Sequence, residues 1–312
     1  MQRVLFPDGY EVQAEALVAL EELDLVRGRE RLEEARRRAL DAADVETVGR
    51  AIEWLEQVLG GDRDGDAIAR AFLAVPKAAL TESVKEFVER VVARAGLRRS
   101  SGAFLDGERR VPRAALELAL GQSSGLRKEL SALVACEPRR ADLRGWLAEA
   151  CLRDERAEEA KAELVRALLL DADRVDFHRL RTPPLAALAT LLAELCAAEP
   201  EPRARELVLP HGWLRGLLAI PPENGWLEGE LARLRARAAH PKDPAARARA
   251  FALLLYEDRS RRPVEADESM REAMAALEPE LFRRFMAVLG ARGGKASPGH
   301  GTGQVARRPG SI

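Results

Sequence analysis

Apolar residues recur along this chain at intervals of three and four, with charged residues between them. The pattern is clearest in WLAEACLRDERAEEAKAELVRALLLDAD, residues 146–173. Leu143, Trp146, Leu147, Ala150 and Cys151 fall at i, i+3, i+4, i+7 and i+8, which is one stripe of an α-helix. Ala157, Ala160, Leu164, Ala167 and Leu168 form a second stripe. The four residues RDER between the runs suit an antiparallel helical hairpin, with Asp154 expected to cap the second helix. Ala148 and Ala160 are small enough for the two backbones to approach closely.

The same periodicity, read with its caps and breakers, predicts helices along most of the chain. They are Val12 to Val26, Arg29 to Ala43 and Val45 to Leu59, separated at Gly28 and at Asp44, then Glu82 to Ala95 after Thr81. Pro112 to Leu120 and Gly125 to Cys136 follow, and a helix begins at Thr182 as cap with Pro183 in its first turn. Prolines at 200, 202, 210, 221 and 222 mark a looser segment, and helices return at Gly225–Ala238, Pro244–Arg259, Glu265–Leu277 and Pro279–Leu289. FPDGYEV and FLDGERRV contain Asp-Gly turns and leave room for small β-hairpins near residues 4–12 and 103–111. The expected class is therefore all-α, in three parts. Residues 1–181 are a helical region whose halves, about 1–96 and 97–181, echo each other. Residues 182–290 form a C-terminal helical region, and 291–312, Gly-rich and without an acidic residue, form a disordered tail.

Composition narrows the function classes. Aromatic residues are 4% of the chain, too few for a β-sandwich or a base-stacking platform. Lys+Arg of 50 against Asp+Glu of 51 leaves a net charge of -1, so no bulk field draws the whole molecule to nucleic acid or anionic lipid. Cys136, Cys151 and Cys196 lie far apart among apolar neighbours and read as reduced thiols. The start lacks an apolar run of signal-peptide length, and LAALATLLAELCAA is too short to span a bilayer, so the expectation is a cytoplasmic protein with no membrane association.

The hairpin at 139–173 resembles the tetratricopeptide repeat, a helix-turn-helix unit of about 34 residues that stacks into a superhelix. Leu147, Ala148, Cys151, Ala160, Leu164 and Ala167 carry the resemblance, and Pro138 closes the preceding unit. The early aromatic is displaced to Trp146, Cys151 stands for an aromatic, and Ala172 stands where a proline is common. A partial second copy lies upstream, offset by 93 residues, so that Val58 matches Cys151 and Ala67 matches Ala160. The resemblance implies an α-solenoid whose ligand-facing side here holds Asp142, Gly145, Glu149, Leu152 and Arg153. Members that hold a peptide carboxylate do so with Lys and Asn, and Gly145 and Glu149 occupy two of those places, so a C-terminal carboxylate is not the expected ligand.

Motifs for chemistry are sparse. DRDGD at 62–66 lacks the glycine and the closing Glu of a calcium loop and reads as a polar turn. GGKAS has no preceding strand and no Ser/Thr after its lysine, so it is not a phosphate loop. His178, His211, His240 and His300 have no metal-ligand spacing, and His178 reads as a surface residue of a connector. Neither a cofactor nor a metal is expected. Basic clusters at 36–38, 97–102, 138–140 and 259–262 could line a nucleic-acid groove, but acidic runs interrupt them. The tryptophans Trp213 and Trp226 sit in a segment readable as a packed connection or as a ligand-facing loop. The leading expectation is a non-enzymatic scaffold that binds a protein or peptide partner through Asp142, Glu149, Leu152 and Arg153. Nucleic-acid or regulatory binding through an arginine-lined groove is the alternative, and an all-helical enzyme with carboxylates converging only in three dimensions stays open.

Overall fold

The computed structural model describes residues 9–37, 42–62, 64–99, 104–106, 109–122, 125–221, 228–238, 241–260 and 268–293. Among these residues it is helical almost throughout, with fifteen α-helices and one two-stranded hairpin. None of the described helices is long and apolar enough to cross a membrane. The chain divides into two compact units, Met1–Val208 and Leu209–Ile312.

The first unit opens with α1 (Gly9–Glu21) and α2 (Leu25–Arg37), packed on each other. The break between them falls at residues 22–24 and not at Gly28. Gly28 lies inside α2, where an added Cβ would come within 2.8 Å of Leu20 Cδ2. It is a close-contact glycine, and the turn is made by Leu23, buried at φ 55°. The hairpin expected near 4–12 falls partly outside the described residues, and its described part, from Gly9, is helix. α3 (Ala42–Leu59), α4 (Gly65–Ala74) and α5 (Glu82–Arg99) follow. Asp64, in the acidic run at 62–66, caps α4 by accepting from the Ala67 amide at 2.7 Å.

Two short strands, β1 (Phe104–Asp106) and β2 (Arg109–Val111), pair antiparallel with Phe104 opposite Val111. Then come α6 (Arg113–Ala119), α7 (Leu126–Cys136) and the hairpin α8 (Ala141–Arg153) with α9 (Ala157–Asp171). Ala148 and Ala160, both 0% exposed, lie on the two buried faces of this hairpin. Asp154 ends α8 instead of capping α9. The hairpin turns at Glu155, with φ 59°, and Asp154 pairs with Arg127 at 2.9 Å. α10 (Ala186–Cys196) starts later than Thr182, whose carbonyl accepts from Ala186 while its hydroxyl is engaged elsewhere. The division at 208/209 leaves α10 in the first unit, packed on the 3-10 turn Phe177–Arg179, and not at the head of a C-terminal region. Phe72, Trp146, Leu20, Ile52, Leu55, Leu116 and Leu126 are among the fully buried side chains, each contributing about 1.5–3 kcal/mol.

α11 (Glu201–Leu214) occupies the segment expected to be loose. Pro202 sits in its first turn, where no amide partner is lost, and Pro210 is carried inside it. The second unit holds the end of α11 with α12 (Glu228–Ala238), α13 (Pro244–Ser260), α14 (Glu268–Leu277) and α15 (Pro279–Gly293). Phe251, Tyr256, Met274 and Phe285 are buried there, and the Trp213 ring lies 5.4 Å from that of Phe285. Trp213 is thus a packing residue, while Trp226 lies outside the described residues. Of the expected tail, residues 291–293 end α15 and residues 294–312 lie outside the described set.

Candidate functional site

Downstream of α9 the chain makes a 3-10 turn, Ala172–Arg174, and a second at Phe177–Arg179 before it reaches Thr182. Val175, Phe177 and Leu180 turn inward and are buried. Apolar spacing alone would bring this strap down onto the helices, and its polar residues must then find partners in the interior. They find two glutamates, Glu89 of α5 and Glu149 of α8, each 0% exposed.

Glu89 takes Arg179 Nε at 2.5 Å on one oxygen and the Arg181 guanidinium on the other. Arg179 also pairs with Asp176, donates to the Phe72 carbonyl at 2.5 Å and stacks 3.8 Å from the centre of the Phe72 ring. His178 places Nε2 3.7 Å from the Glu89 carboxylate and Nδ1 3.1 Å from Glu82. His178 is therefore not a surface residue: its side chain is 11% exposed. Its acidic neighbours, Glu82 and Glu89, are remote in sequence.

Burial pushes the Glu89 carboxyl up, but Arg179, the nearby His178 imidazole and Arg181 together outweigh it and hold the group down at about 2. Arg179 is likewise held above the ordinary arginine value, because Asp176 and Glu89 outweigh its desolvation. Asp176 goes the other way. Burial dominates and raises it despite Arg179, with Asp142 and Glu89 adding repulsion.

Glu149 accepts from the Thr182 hydroxyl at 2.7 Å and from the amides of Arg181 and Thr182 at 3.1 and 3.3 Å. Arg153 approaches it at 3.2 Å and also donates to the carbonyls of Leu118 at 2.9 Å and Gln122 at 3.2 Å. Asp142 is 7% exposed and bonded to Arg140, and Leu152 is 7% exposed. A Cβ on Gly145 would stand 3.8 Å from Val175 Cγ1, so the strap lies over that position too.

The expected partner-binding set of Asp142, Glu149, Leu152 and Arg153 is therefore corrected as an open face. Three of the four are buried, and Glu149 and Arg153 serve the chain's own strap and the end of α6. Helical periodicity assigns these positions to the outer side of the hairpin. It carries no information on a segment that returns over that side 25 to 35 residues later. Glu89, Arg179, Arg181 and Thr182 were not singled out for any such role, and Glu89 lies off the stripe of Val84, Val88, Val91 and Val92 that marks the buried side of α5.

The cavity between Glu89, Arg153, Arg179 and Arg181 measures about 10 Å3, scarcely room for one water. Both buried glutamates are thus bonded within the chain, Glu89 to arginines and Glu149 to Arg153, the Thr182 hydroxyl and two backbone amides. One described arginine in each of the four basic clusters is ion-paired: Arg36 with Glu33 at 2.5 Å, Arg98 with Glu21 at 3.0 Å, Arg140 with Asp142 at 2.5 Å and Arg259 with Asp258 at 3.6 Å.

No family model, curated protein or solved structure matches the chain. The arrangement can lock the strap to α4, α5 and α8 through charge-assisted bonds whose partners are all internal.

Proposed function

We propose that this chain is a non-enzymatic interaction protein built of stacked helical hairpins, similar in plan to tetratricopeptide-repeat scaffolds, and that its partner is a protein or peptide. The observation that carries this reading is packing between chain neighbours: α1 on α2, α2 on α3, α7 on α8 and α8 on α9, then α12 on α13, α13 on α14 and α14 on α15. Repeat arrays build their cores in this way, each hairpin covering the next.

The 93-residue offset adds support. Leu55 and Ala148, Leu59 and Leu152, Ala67 and Ala160, Ala71 and Leu164, and Phe72 and Val165 are matched pairs, and all ten residues are buried. With the α8 face taken by the strap, partner contacts fall to the remaining exposed faces. The ion-paired arginines favour a mixed-charge protein surface over phosphate.

The test is affinity capture with the full chain, reconstitution of any complex from purified components, and parallel DNA and RNA titrations. A saturable complex with a purified protein that persists at about 0.2 M salt is expected. Tight nucleic-acid binding that collapses over the same salt range would overturn the reading.

A further inference from the structure

We draw no further inference here: the strongest candidate, the open groove along the outer face of α2 between Val26 and Arg37, carries none, because nothing in the structure shows what covers it.

Discussion

At the residue scale the molecule is organised around a buried carboxylate, Glu89. Burial alone would neutralise Glu89, and three basic side chains keep it ionised at about 2, below its ordinary 4.5. Removing one member of such a buried pair leaves its partners uncompensated, which costs about 3–5 kcal/mol. Glu89→Gln should therefore lower stability at pH 7 by about that amount, read from urea denaturation. The pH dependence has a definite sign. The folded chain binds this proton less tightly than the unfolded chain, so the stabilisation from Glu89 is complete above about pH 4.5 and is lost as pH falls toward about 2. The gap between parent and Glu89→Gln should narrow across that window. A gap that stays constant would mean that the Glu89 carboxyl binds its proton equally tightly in the folded and the unfolded chain. Asp176, raised by burial, contributes in the opposite direction, which is why the difference between parent and variant is the informative quantity.

At the element scale the α8–α9 hairpin is the best place to test local geometry. Its turn puts Glu155 at φ 59° and closes with the Arg156 amide bonded to the Cys151 carbonyl at 2.8 Å, the six-to-one bond that usually accompanies glycine. Glu155 is exposed, so Glu155→Gly should raise stability by about 1 kcal/mol in thermal melts. A loss would show that the unfolded-state entropy of glycine outweighs the relief of the left-handed backbone. Ala160 is 0% exposed, and Ala160→Arg should cost several kcal/mol, on the order of 3, through overpacking and a buried charge. A variant that melts like the parent would show that α9 does not bury this face. Both helices were legible in the sequence because an amphipathic stripe is a local signal. The break at residues 22–24 was not, because Gly28 reads equally as a helix stop and as a contact glycine, and only the position of Leu20 decides between them.

At the scale of the whole molecule the chain has two compact units, and each carries tryptophan among its described residues: Trp54 and Trp146 in the first, Trp213 in the second. Variants that keep Trp146 alone or Trp213 alone should report separate denaturant midpoints. Glu89→Gln introduced into both should move the first and leave the second in place. Equal shifts would show that the two units unfold as one.

The sequence by itself determined the helical class, most helix positions and the buried stripe of the α8–α9 hairpin, because these follow from spacing within one or two turns. It also placed Ala148 and Ala160 on the buried faces of that hairpin. Only the tertiary structure decided what covers α8. The strap from Val175 to Thr182 folds back over positions that periodicity leaves to the outside, and Glu149 meets Thr182 across 33 residues while Glu89 meets Arg179 across 90. Pairings of that range depend on the path of the whole chain. No local pattern around Glu89 or Glu149 distinguishes a carboxylate destined for burial from the many that stay in water, so the same residue type serves both fates and the fold assigns them.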